Sequence, residues 1–182
     1  MAGRRFLTSK FAHFEKITLE RSKDSRESEM AAPIALQIAA AARVVAVLGA
    51  RTDANRTRPA FYVADFLSSD GVEVIPIPVL RPGGGSEPGN FPGDAQPLSL
   101  AALASLPERV DVLCCFRRPE DLPSAEEIVA ARPRALWLQS GIRNPALEEA
   151  VASTSRLAGD EIVVVADRCM KLDRAAAKAS KM

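Results

Sequence analysis

From Pro33 onward the apolar positions fall into short runs divided by amphipathic stretches. RVVAVLG (43–49) shows no polar alternation, the pattern of a strand buried on both faces. VEVIPI (72–77), VDVLCCF (110–116), RALWLQ (134–139) and EIVVVA (161–166) predict four further strands. Pro76 cannot donate to a ladder, which places the second strand at an edge or Pro76 at its end. Between these runs the spacing predicts helices. An alanine-rich one covers 33–42. Another covers 59–70, with Val63, Phe66 and Leu67 on one face, Pro59 in its first turn and Asp70-Gly71 as its stop. Shorter ones cover 98–106 and 118–132, the latter with Leu122, Ala125, Ile128 and Val129 inward. Asn144-Pro145 is a cap and first-turn pair that opens a helix through Leu147 and Val151. Residues 78–97 form a long loop rich in glycine and proline, and the segment after 166 is basic and helix-prone.

Strands alternating with helices of this length predict an α/β fold: a five-stranded, doubly wound parallel sheet with helices on both faces. Three parts are expected along the chain. Residues 1–32 form an N-terminal arm or targeting segment, 33–173 the folded domain, and 174–182 a basic C-terminal tail. The first 14 residues hold Arg4, Arg5 and Lys10 and no acid, as in a mitochondrial presequence, whereas 15–29 are mixed in charge. The two readings are a presequence, which implies the mitochondrial matrix, and a solvated arm of a cytoplasmic protein. The arm and the basic tail exceed what a minimal binding domain needs and point to a protein partner or a homodimer contact through the arm.

Composition narrows the function. A formal net charge of +1 over 182 residues offers no basic field for nucleic acid. No apolar run reaches the ~20 residues of a spanning helix. The three cysteines, Cys114, Cys115 and Cys169, have neither disulfide-framework nor zinc spacing.

In a doubly wound sheet, ligands sit beyond the carboxyl ends of the strands. After the first strand come Gly49, Ala50 and Arg51, then Arg56, Arg58 and Pro59. The glycine allows close approach of backbone to a ligand, helix-start amides attract anions, and arginine adds forked charge-assisted bonds to phosphate. The competing reading is three solvated surface arginines. After the second strand stands Pro78, where an NAD site needs an acid for the ribose hydroxyls; GxGxxG is also absent, so an NAD-dependent dehydrogenase is disfavoured. After the third strand Phe116 and Arg117 either flank an adenine or phosphate or are a core aromatic and a helix-start cation. After the fourth come Gln139, an amide that needs partners if buried, and Gly141. After the fifth come Asp167, Arg168 and Cys169. Asp167 and Arg168 suit an ion pair closing the sheet, and Cys169 is either an inert core thiol or, with cations beside it, a reactive one.

Taken together, VVAVLGA, RPAFYVADFL, VEVIPI-P, SLAALASLPERVDVLCCFRRPEDLP, ALWLQSGI and VVVADRCMKL, in this order over residues 42–173, resemble the stand-alone CoA-binding proteins. That family has a Rossmann-like fold similar to the N-terminal domain of the succinyl-CoA synthetase α subunit. The resemblance implies coenzyme A lying across the carboxyl edge of the sheet. Gly49, Ala50 and Arg51 with Arg58 and Pro59 would hold phosphates. Pro78, Phe116 and Arg117 would flank the adenosine, and Gln139, Gly141, Asp167, Arg168 and Cys169 would close the far side. The chain departs from the pattern at Arg51-Thr52, where the family commonly has a small residue and a proline, and after the second strand, which the family usually follows with Asn-Pro and which here is followed by Pro78 and Val79.

The single histidine, His13, lies in the arm, so the core offers no Cys-His or Ser-His-Asp set. The expectation is therefore a non-catalytic CoA or acyl-CoA carrier, sensor or regulatory module. The alternatives are a structural subunit that retains the CoA-binding fold and a thiol- or acyl-transfer enzyme using Cys169.

Overall fold

A computed structural model describes residues 33–79 and 88–180; the arm, the start of the glycine-proline loop and the last two residues lie outside it. The five apolar runs form strands β1 (Val44–Ala50), β2 (Glu73–Pro78), β3 (Val112–Cys115), β4 (Ala135–Leu138) and β5 (Val163–Val165). All pairings are parallel, and the strand order is β2-β1-β3-β4-β5. β2 is an edge strand, which is how Pro76 is tolerated: it sits opposite Val47, and its outward carbonyl accepts the Leu98 N–H at 2.9 Å.

Alternate residues of the central strands feed two cores. Val45, Val47, Val112, Cys114 and Trp137 face one side, where they pack on α1 (33–41), α2 (Pro59–Ser69) and α5 (Met170–Ala179). Ala46, Leu48, Leu113, Cys115, Leu136 and Leu138 face the other, against α3 (Ala125–Ala130) and α4 (Pro145–Leu157). The sheet is thus covered on both faces, and the fold is the expected doubly wound α/β sheet.

Three elements differ from expectation. The helix predicted over 118–132 is broken into a short 3-10 turn, Pro119–Asp121, and α3. Pro123 disfavours helical backbone at the preceding residue, and Leu122 is extended (φ −69°, ψ 148°). Ser124 then starts α3 with a capping box: its hydroxyl accepts the Glu127 N–H at 3.2 Å while the Glu127 carboxylate accepts the Ser124 N–H at 2.8 Å. The predicted 98–106 helix is a 3-10 turn over Ala101–Ser105.

The third difference concerns the end of the chain. The boundary expected at residue 173 falls inside α5, and Arg174 is buried. Its guanidinium donates to the Ala39 and Ala42 carbonyls at 2.7 and 3.0 Å and pairs with Asp70, the C-cap of α2. Lys178 also reaches the Asp70 carboxylate. One arginine therefore satisfies carbonyls at the end of α1 and ties α1, α2 and α5 together.

A candidate cofactor cleft at the carboxyl ends of the strands

In the order β2-β1-β3-β4-β5, the chain leaves β1 toward β2 and returns past it to β3. The connections thus diverge between β1 and β3, and such a switch point opens a crevice at the carboxyl ends. A cleft of about 910 Å³ lies there. Its β1 wall is Gly49, Arg51, Asn55 and Arg58, with Pro59 and Ala60 at the start of α2; its β3 wall is Phe116–Pro119 and Asp121. It continues past Gln139, Ser140, Gly141 and Ile142 after β4 to Cys169 and Leu172 at the start of α5.

The walls meet at Gly49. Its φ is +87°, and a Cβ there would lie 3.1 Å from the Phe116 carbonyl oxygen and 3.4 Å from the Arg117 side chain. Only glycine suits both the backbone and the approach. The register between β1 and β2 shifts at this point, between Leu48 and Ala50. Beyond it Thr52 is fully buried and its hydroxyl donates to the Pro88 carbonyl, so Arg51-Thr52 anchors the turn to the far end of the glycine-proline loop. Asp53 strengthens that anchor by accepting the Asn90 N–H at 3.1 Å. Gly89 fits so closely that a Cβ would lie 2.1 Å from the Asp53 carboxylate.

The electrostatics favour an anion. Among the described residues the lining holds four arginines (Arg51, Arg58, Arg117 and Arg118) and one carboxylate, Asp121. Arg58 is exposed at the N-cap of α2 and has no ion-pair partner among the described residues. Arg117 lies 3.8 Å from Asp121 and Arg118 4.0 Å from Glu120, separations too long for tight hydrogen bonds. The start of α2 adds its dipole and the Ala60 amide; Pro59 has no N–H, and those of Phe61 and Tyr62 donate to the Arg58 carbonyl.

Most of the residues expected at the site line this cleft: Gly49, Arg51, Arg58, Pro59, Phe116, Arg117, Gln139, Gly141 and Cys169. Five do not. Ala50 is buried in β1, and Pro78 ends β2 with Val79 lining the cleft in its place. Arg56 points into solvent, with 74% of its side chain exposed and Asp53 at 3.7 Å, because the 3-10 turn Asp53–Asn55 rotates it away from Arg58. Asp167 and Arg168 do not pair with each other. Asp167 has left-handed backbone (φ +55°), which turns its carboxylate to accept the Gly141 N–H at 2.7 Å. Arg168 instead makes a two-pronged bond to Asp173, one turn into α5, at 2.7 Å for each contact. Both residues therefore fix the β4 and β5 loops rather than lining the cleft. Asn144 does the same for α4: its side chain caps Leu147 N at 3.1 Å and reaches the Pro119 carbonyl at 3.2 Å.

Gln139 finds its buried partner in sulfur, donating to Cys114 Sγ at 3.1 Å. Burial pushes the Cys114 thiol up to about 12, although the Gln139 bond opposes the shift, and it raises Cys115 well above the usual range. Both are inert core thiols, whereas Cys169 opens into the cleft. Sequence reasoning missed Tyr62 and Leu172 in the lining. Helix arithmetic could have found them, since each stands three residues past a lining residue, Pro59 and Cys169, on the same helical face.

A cation-lined cleft at the switch point of an α/β sheet is where such folds bind nucleotide cofactors. The sequence makes this specific. Residues 43–175 match the family model described as CoA binding domain, and the chain belongs to that family. A Thermus thermophilus protein of solved structure, cell-free ID.343, is 37% identical, with a TM-score of 0.59 over 78% of this chain and 94% of that one. Two other structures share the fold at 18% identity, each covering 81% of this chain and 92% of its own: Prb, a protein redesigned for binding (TM-score 0.57), and a hypothetical protein from Pyrococcus horikoshii OT3 (TM-score 0.54). No curated protein matches the sequence. Among the described residues no helix is long and apolar enough to cross a membrane, and no cluster of side chains could hold a metal ion.

Proposed function

We propose that this chain is a non-catalytic CoA- or acyl-CoA-binding protein that carries the cofactor, senses its level or regulates a partner. The observation that carries this reading is the cation-lined cleft pinched at Gly49, in a domain of the CoA-binding family. CoA bears a pyrophosphate and a 3′-phosphate on its ribose, so it needs several cations and lacks the ribose hydroxyl pair that the acid of an NAD site binds. Arg51, Arg58 and the Ala60 amide at the start of α2 would hold the phosphates. Phe116 and Arg117 would flank the adenosine, with Asp121 exchanging its loose contact to Arg117 for solvent. Gln139 and Gly141 would border the far half, held there by Cys114 and Asp167 respectively.

Titration calorimetry with CoA, dephospho-CoA, NAD and NADP tests the reading. CoA should bind most tightly, and dephospho-CoA more weakly for want of the ribose phosphate. Equal affinity for CoA and NADP would overturn it.

Cys169 supports a second reading, as it is the one cysteine in the cleft. Its thiolate would attack one sulfur of CoA disulfide, forming a protein–CoA disulfide and releasing the other CoA as thiolate. Intact-mass analysis after exposure to CoA disulfide should then show one adduct, on Cys169; an unmodified Cys169 would leave only the binding role.

A further inference from the structure

The cleft is chemically two-ended. The arginines gather at the β1 and β3 side. Where α2 approaches α5, one helical turn past Arg58, the lining passes to Tyr62, Leu172 and the Cys169 thiol. Tyr62 (41% exposed) and Leu172 (65% exposed) both line the cleft there, and Ile142 faces them from the loop after β4. Cys169 sits beside them at the start of α5. The Lys171 ammonium lies 5.5 Å from the centre of the Tyr62 ring and 5.3 Å from that of Phe66, a cation against two rings. Of the large hydrophobic side chains exposed among the described residues, two thus share one cleft mouth, while Ile34, Leu157 and Val163 lie outside the lining.

A CoA thioester has the same polarity, with phosphates at one end and the acyl group at the other. Phosphates held by Arg51 and Arg58 would leave the thioester end to run toward Cys169, Tyr62 and Leu172, which line the same cleft. We propose that the lip formed by Tyr62 and Leu172 receives the hydrocarbon chain of an acyl-CoA, so that the protein prefers acyl-CoA to free CoA. The inference rests on the reading of the cleft as a CoA site and adds its ligand preference. The driving force is burial of a solvated alkyl chain against side chains that already face water, so nothing folded must be displaced.

The test is titration of the full chain with CoA, acetyl-CoA, octanoyl-CoA and octanoate. Octanoyl-CoA has six more methylenes than acetyl-CoA, and an open lip that covers only part of them should tighten binding roughly tenfold or more over CoA. The variant Tyr62→Ser/Leu172→Ser, both sites being exposed, should bring the octanoyl-CoA to CoA affinity ratio close to one. Octanoate alone should neither bind comparably nor compete. Equal affinity for CoA and octanoyl-CoA in the wild type overturns the lip while leaving the CoA site standing. An undiminished ratio in the folded variant, or octanoate binding as well as octanoyl-CoA, overturns it too. Failure of CoA itself to bind removes the site on which the lip depends.

Discussion

At the residue scale the cleft depends on a few side chains with separable roles. Arg58 is the cation best placed to take a phosphate without first breaking an ion pair. Arg58→Ala should weaken CoA binding by about 1–3 kcal/mol, read by calorimetry. Arg56→Ala, two residues away but directed into solvent beside Asp53, should leave affinity within error. Equal losses in both variants would mean a diffuse basic surface rather than a built site. Gly49 is a different kind of residue, needed for its shape. Gly49→Ala puts a Cβ against the Phe116 carbonyl at a backbone angle that L-residues avoid, and should cost about 1–3 kcal/mol in denaturant unfolding, with affinity falling as well. The cysteines divide by access. A maleimide should label Cys169 in the folded protein and Cys114 and Cys115 only after unfolding; early labelling of Cys114 would contradict the burial that raises its thiol.

At the element scale, α5 was legible as a helix-prone segment, but its anchoring to the domain was not. DRCMKLDRAAAKASKM reads as a basic tail because its charges are counted without their partners. In the fold, Arg174 is a buried clamp on the ends of α1 and α2, and a partner more than a hundred residues away cannot be read from local pattern. Arg174→Ala should destabilise by about 1–3 kcal/mol, since it takes the donor from the Ala39 and Ala42 carbonyls while Lys178 still holds Asp70. Lys178→Ala, removing a half-exposed cation, should cost under about 1 kcal/mol. The same cluster sets an acid response. The Lys178 and Arg174 donors hold the Asp70 carboxyl below its ordinary value of 3.8. The unfolded chain therefore takes up the proton more readily than the folded one. The stabilisation is complete above the unfolded value and is lost as pH falls below 3.8 through the folded one. Denaturant midpoints taken across this range should fall more steeply for wild type than for Asp70→Asn. Parallel slopes would dissociate Asp70 from the acid response. The capping box at Ser124, by contrast, is local and was written in the sequence as Ser124 with Glu127. An apolar helix pattern that continues through Pro123 masks it.

At the scale of the whole molecule, the sheet was the most legible part. Each strand is an apolar run whose length and spacing force a parallel, doubly wound arrangement, and that arrangement alone carries Gly49, Phe116, Gln139 and Cys169 to one edge. The cleft was legible as far as it follows strand ends. It was not legible where it depends on how loops turn: the 3-10 turn that carries Arg56 away, the left-handed Asp167 that binds Gly141, and the meeting of α2 with α5 that brings Tyr62 to Leu172. On this reading CoA occupies this edge of the sheet and no other. Amide shift mapping by NMR during a CoA titration tests that claim most directly. It should perturb residues 49–51, 58–62, 116–118, 139–142 and 169–172, and leave Arg132, Gly159 and Asp160, at the opposite end of the sheet, unmoved. Shifts centred on that opposite end, or a saturating titration that leaves Gly49 and Arg58 untouched, would contradict it.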